Sequence, residues 1–287
     1  MKRAISHILF VVGSALAGNA IAAGAGIHMD TFPTARAQDF AALQNGARLF
    51  SNYCLSCHSA ALMRWNRLEE IGLNEKQIKD FLIFGEQKTG DMMTIALRPT
   101  DAKRWFGKTP PDLSVIARAR TSFEYGGPDY LYTLLRGYYR DNTTATGWNN
   151  VASANIAMPH ILWERQGPRE ASIERIAEEV VKDDSGKERA AYVRTVSAFD
   201  ANGNGKFQRE VLKGPSEPRV TFAFKPADAQ LARQFDNDIA DLVAFLVFVT
   251  DPSSLARVRI GVWALLFLGV FAVIAWWLNR VYWRDIK

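Results

Sequence analysis

Cys54-Leu55-Ser56-Cys57-His58 is the stretch whose residue types and spacing are most plainly fitted to chemistry. Two thiols at this spacing can reach the two vinyl groups of one porphyrin, and the imidazole that follows is then carried beneath the iron; this is the arrangement of covalent c-type haem attachment. Cys54 and Cys57 are the only cysteines in the chain. A framework of several disulfides and a four-cysteine zinc or iron–sulfur site are thereby excluded. Beside haem attachment there remain a redox Cys-x-x-Cys pair and a chance spacing.

An iron held by His58 needs a sixth ligand, or a reason to lack one. Beyond the leader segment the other histidines are His28 and His160, and the methionines are Met29, Met63, Met92, Met93 and Met158. A thioether is a soft neutral donor that favours ferrous iron and raises the potential of an electron carrier. Met158 is the preferred ligand, because Pro159 stiffens the loop Ile156-Ala157-Met158-Pro159 that would present its sulfur; His160 is the main competitor. Met92 and Met93 read as core packing at helical spacing. Met63 lies too near the attachment site to swing over the opposite haem face, and Met29 falls in an N-terminal arm expected to be mobile. Asp200 to Gly205 begins like a calcium-binding loop, but its twelfth position is Val211 and Glu210 is one residue out of register, so the segment reads as turn chemistry.

The elements that must position these groups read as mostly helical. Leu43, Ala47, Phe50 and Tyr53 recur at helical spacing over 41–53 and lead into the cysteines. Short helices are expected at 80–84 and 92–97, the second stopped by Pro99. Asp112 is a plausible N-cap for a helix through Arg120, and further helices are expected at 130–140 and 237–249. Residues 191–225 alternate Val, Thr and Phe with polar residues around Asn202-Gly203-Asn204-Gly205, which predicts a β-hairpin. Glu164 to Arg189, with its interspersed charges, reads as a solvated face or surface insertion.

The two ends place the chemistry. Lys2 and Arg3 precede an apolar run and Ala20-Ile21-Ala22 offers a cleavage site, so 1–22 reads as a secretory signal peptide. Ile260 to Leu278 is apolar throughout and flanked by Arg257, Arg259, Arg280 and Arg284. At 1.5 Å rise per residue it covers a hydrocarbon core about 30 Å thick, with Trp276, Trp277, Tyr282 and Trp283 as an aromatic belt. The expected organisation is a periplasmic domain over 23–255, a transmembrane anchor over 256–280 and a cytoplasmic tail over 281–287. The formal net charge is +5, two of those charges being Lys2 and Arg3, and the chain carries no block of like charge. A nucleic-acid partner is not indicated.

Gly46, Leu49 and Phe50 before the cysteines, paired with Leu242 to Leu246 far downstream, resemble the crossing helices of the class I cytochrome c fold. Pro110-Pro111-Asp112-Leu113-Ser114, Arg118-Ala119-Arg120, Asp129-Tyr130, Ala157-Met158-Pro159 and the anchor ending in Tyr282-Trp283-Arg284-Asp285 follow in the order of the cytochrome c1 family, to which the chain is similar from about Leu43 to its C-terminus, most weakly over 165–225. The resemblance implies a mainly α, class I cytochrome c-like haem domain with one C-terminal membrane helix. It implies one haem c joined to Cys54 and Cys57, with His58 and Met158 as axial ligands of the iron. By the same resemblance Arg120 pairs with a haem propionate, Pro111 and Leu113 pack against the ring, and Tyr130 lies near the propionates. This chain departs from the family in having His160 after Pro159, where further prolines are common, and in a longer connection over 121–129.

Such a protein would take one electron from a Rieske iron–sulfur protein and pass it to a cytochrome c, beside cytochrome b in a quinol:cytochrome c oxidoreductase of the bacterial inner membrane that the family assembles as a dimer. No acid–base pair or nucleophile is required. The rival readings are a cytochrome c subunit of a terminal oxidase or periplasmic dehydrogenase, and a haem-free thiol oxidoreductase.

Overall fold

The computed structural model describes residues 26–182 and 186–284; the leader expected at 1–22 lies outside them. Asp39 accepts the Ala41 N–H and opens helix α1 (Phe40–Leu49), which runs on as one π-helical turn, Phe50–Cys54, that delivers the first cysteine. This is the helix expected over 41–53. Strand β1 (Ala60–Arg64) follows the motif, then a 3₁₀ segment Trp65–Ile71 and α2 (Glu75–Phe81). The Asn74 and Gln77 side chains cap each other reciprocally and start α2 at Glu75, ahead of the helix expected over 80–84, and α2 ends at Phe81, so that helix is not formed as expected.

The helix expected at 92–97 is not formed. Met92–Met93 is strand β2, antiparallel to β1, and its pairing overrides the local spacing. Met93 is in the core, as expected, but on a strand. Pro99 does not stop a helix either: it opens α3 (Pro99–Phe106), where its missing N–H falls in a first turn that needs no intrahelical partner. Helix α4 is short (Ile116–Ala119), because the Asp112 carboxylate is engaged by the Ser114 and Ala61 N–H groups instead of capping a helix. Helix α5 covers Gly127–Arg136, earlier than the expected 130–140. After Gly137 the chain turns into β3 (Tyr138–Arg140), paired with β4 (Trp148–Asn150).

The region read as a surface insertion and a hairpin is larger and more regular than expected. After α6 (Trp163–Gln166) come β5 (Arg169–Lys182), β6 (Glu188–Phe199), β7 (Gly205–Val211) and β8 (Arg219–Pro226), in one antiparallel sheet ordered β7-β6-β5-β8. Charged residues dominate β5, yet Ala171, Ile176, Ala177 and Val181 are buried, a mixture that hides a strand among charges. At the β6–β7 turn, Asp200 accepts the N–H groups of Asn202 and Asn204 and Gly203 adopts φ +89°, the turn chemistry expected there.

Helix α7 (Ala229–Thr250) begins two turns before the expected Asn237, capped by Asp228, and crosses α1. Gly46 sits at the crossing: a Cβ there would lie 2.1 Å from the Asp241 carbonyl oxygen and 2.6 Å from Phe245 Cβ. Phe50 fills the space beside it, its ring centroid 5.4 Å from that of Phe245. The glycine-and-aromatic crossing is therefore as expected. The N-terminal arm is packed, in contrast to expectation. Met29 and Phe32 are buried, the Asp30 and Phe32 N–H groups bond to Thr133 Oγ1 and Asp129 Oδ1, and Ile27 bridges to Val220 on β8. Arg36, Arg136 and Arg165 then pair with Asp241, Asp236 and Asp238 along α7.

Helix α8 (Ser254–Tyr282) contains the 24-residue stretch Arg259–Tyr282, of mean hydropathy 2.2 and unburied within the protein, which is long and apolar enough to cross a membrane.

Candidate functional site

The π turn at the end of α1 sets the geometry of the motif. The Leu55 N–H reaches back to the Phe50 carbonyl, while the Cys57 and His58 N–H groups both meet the Cys54 carbonyl. Cys54, Cys57 and His58 thus occupy one tight turn. Burial, with Cys57 nearby, pushes the Cys54 thiol up to about 12, so it is a neutral thiol and a poor nucleophile.

The His58 ring is held from the far side of the loop. Its Nδ1 lies 2.7 Å from the Pro111 carbonyl oxygen. A carbonyl can only accept, so Nδ1 carries the proton and Nε2 keeps its lone pair. Burial lowers the imidazole pKa, against the opposing pulls of the Pro111 carbonyl and Asp112, and favours the neutral form that binds metal. The loop is itself fastened to the motif strand. Leu113 N–H donates to the Ser59 carbonyl, Ala61 N–H to Asp112 Oδ2 and Leu62 N–H to Ser114 Oγ. Leu113 is buried, whereas Pro111 is exposed.

Met158, Cys54, Leu55 and Tyr130 are all half-buried and pack against the same hydrophobic core. His160 is differently placed. It is 3% exposed, stacked on Tyr138 and edged by Trp148 and Phe235. To reach an iron it would have to leave that aromatic cage.

Arg120, at the end of α4, is exposed, with its guanidinium 5.7 Å from the Tyr130 ring centroid. Among the described residues it has no carboxylate partner. Tyr130 in turn stacks on Tyr125, which lies in the longer connection over 121–129. These residues fit a haem c: two thiols on one turn, a neutral imidazole with Nε2 available, a half-buried thioether packed on the same core and an exposed guanidinium with no carboxylate partner among the described residues. Sequence reasoning missed Asp112 and Ser114 as fasteners of the proline loop, although Asp-x-Ser is itself a turn signal. It also missed Tyr138, whose phenol donates to the Met158 carbonyl at 3.1 Å; no local pattern marks it.

Comparison with known proteins identifies the family. The model of the Cytochrome C1 family matches residues 32–185. Cytochrome c1 of Allochromatium vinosum is 34% identical over 93% of this chain and 93% of its own length. A protein of Nitrosomonas europaea named ammonia monooxygenase gamma subunit is 36% identical over 92% of this chain and 91% of its own. Cytochrome c1 of Rhodospirillum rubrum is 28% identical over 85% and 82% respectively. With a covalent-haem motif, its fastened proline loop and relatives matched along nearly the whole length, the chain belongs to the cytochrome c1 family, the electron-transfer cytochromes that bind one covalent haem c.

Proposed function

We propose that this chain is the haem subunit of a quinol:cytochrome c oxidoreductase, receiving electrons from a Rieske iron–sulfur protein and delivering them to a cytochrome c. The observation that carries the reading is the likeness to cytochrome c1 along nearly the whole chain, and the 2.7 Å contact of His58 Nδ1 with the Pro111 carbonyl beside Cys54 and Cys57 supports its haem chemistry, since it prepares Nε2 as an iron ligand. When bound, haem c supplies a one-electron couple between ferric and ferrous iron. Everything else is done by the protein. Cys54 and Cys57 would fix the macrocycle covalently, and His58 and Met158 would ligate the iron. Arg120 would neutralise a propionate, its guanidinium lying over the Tyr130 ring. Pro111 and Leu113 would cover the ring and limit water, within a class I cytochrome c-like domain.

Helix α8 anchors this domain in the bacterial inner membrane with the haem on the periplasmic side, which keeps it beside cytochrome b and shortens the search for each encounter. The residue ranges 23–255, 256–280 and 281–287 then correspond to periplasm, bilayer and cytoplasm, and the complex is a dimer. The test is purification from detergent-solubilised membranes. Cytochrome b and a Rieske protein should accompany a chain that stains for covalent haem. The name of the Nitrosomonas relative gives the alternative a definite form: recovery with a monooxygenase and without cytochrome b would overturn the assignment of complex while leaving the haem chemistry intact.

A further inference from the structure

Residues 156–161 carry Met158 through a segment with neither helix nor strand. Among the described residues a single hydrogen bond meets their main chain, and it is the one from the Tyr138 phenol to the Met158 carbonyl. Pro159 has no N–H to offer. The attitude of Met158 therefore depends on where Tyr138 stands.

Tyr138 is rigidly placed. It is 1% exposed, and its phenol finds its acceptor inside the protein. The His160 ring lies face to face with it, centroids 4.6 Å apart and planes 8° from parallel. His160 is enclosed in turn by Trp148, edge-on at 4.8 Å, and Phe235, edge-on at 6.1 Å. Tyr138 and Trp148 come from the paired strands β3 and β4, whose register sets Tyr138 opposite Asn150 and Arg140 opposite Trp148. From the first residue of β5, Arg169 Nε donates to the Tyr138 carbonyl at 3.1 Å. The ring, its backbone and its stacking partner are each fixed by a different element.

We propose that Tyr138 is a positioning residue for Met158, and that His160 serves as the stacking ring that holds Tyr138 rather than as an alternative ligand. The inference rests on Met158 being the axial ligand. A neutral thioether is a weak donor, so keeping it on iron through both oxidation states depends on a loop that cannot drift. Pro159 stiffens this loop at one position, and the stacked rings of Tyr138 and His160 hold it beside that position.

The test uses the complex purified from membranes with covalent haem in place. Three quantities are read: the charge-transfer absorption of methionine-ligated ferric haem, the midpoint potential, and the rate of carbon monoxide binding to the ferrous form. Tyr138→Phe keeps the ring and the stack and removes only the donor. It should leave haem attached, weaken the band, lower the potential and speed carbon monoxide binding about tenfold, as expected for one lost hydrogen bond. His160→Phe preserves the stack and should resemble the parent, whereas His160→Ala should follow Tyr138→Phe. A Tyr138→Phe protein with an unchanged band and unchanged carbon monoxide kinetics would overturn the proposal, as would loss of the band in His160→Phe. Met158→Ala separates the two layers of the argument. An intact band there would remove the ligand assignment itself; a lost band there beside an unaltered Tyr138→Phe would remove the positioning role alone. Should His160→Ala fail to accumulate, Tyr138→Phe, which deletes one oxygen, carries the test.

Discussion

At the scale of single residues, the proposed site divides labour between groups that would touch haem and groups that hold those groups. Met158→Ala should leave covalent haem in place, sharply lower its midpoint potential and stop quinol-dependent turnover, because the soft donor that favours ferrous iron is gone. Redox titration of the membranes checks this, and an unchanged potential would point to His160 or another methionine. A fixed cation near the iron favours the added electron, so Arg120→Gln should also lower the potential. Arg120→Lys should restore part of the loss, since it keeps the charge without the bidentate fork. Asp112 contacts no haem atom by this reading, yet its carboxylate fastens Ala61 to Ser114 across the proline loop. Asp112→Ala should cost about 1.5–3 kcal/mol of stability, the range for hydrogen bonds to a charged group. Thermal unfolding followed by the haem absorbance measures it.

At the scale of elements, the α1–α7 crossing is the joint on which the haem turn depends. Gly46→Ala would drive a methyl group into the Asp241 carbonyl, and separating the helices should cost about 1–3 kcal/mol or more. A melting temperature within a degree of the parent would contradict that. The β3–β4 ribbon beneath Tyr138 is closed by Asp141, which takes hydrogen bonds from Thr143 and Asn149. Burial alone would raise its pKa, but the bonds from Thr143 and Asn149 outweigh it and hold the carboxyl below its ordinary value. A depressed carboxylate pKa stabilises the fold above the unfolded value, and that contribution is lost as the pH falls through the folded one. Asp141→Asn should therefore flatten the decline of stability in acid, as read from melting temperatures between neutral pH and pH about 3.

What was legible at this scale follows from how local the physics is. Covalent attachment demands contiguous residues, so Cys54 to His58 and the helix before them stand out. The α1–α7 crossing was also readable, because Gly46 with Phe50 and Phe245 answer one steric requirement from two places. Strand β2 was not, since two residues bound to β1 carry no period of their own. Nor was the four-stranded sheet: in β5 buried Ile176 and Ala177 sit among charges that read as solvent-facing. The role of Tyr138 depends on a bond across the fold to a residue in an irregular loop, and nothing adjacent in the chain announces it.

At the scale of the whole molecule, the polar face of α7 gathers Arg36, Arg136 and Arg165 from the N-terminal arm, α5 and α6, while α8 departs from the domain with none of its apolar stretch buried. A chain ending at Ser253 should keep its haem and move from the membrane to the soluble periplasmic fraction; continued retention on membranes after an alkaline wash would contradict the anchor. The most direct test of the account is rapid mixing of the purified, detergent-solubilised complex with quinol, followed at the covalent haem of this chain. The expected result is that this haem is reduced by quinol and reoxidised by an added cytochrome c, with both steps lost in Met158→Ala. A covalent haem on this chain that quinol leaves oxidised, in a preparation whose cytochrome b is reduced normally, would contradict it.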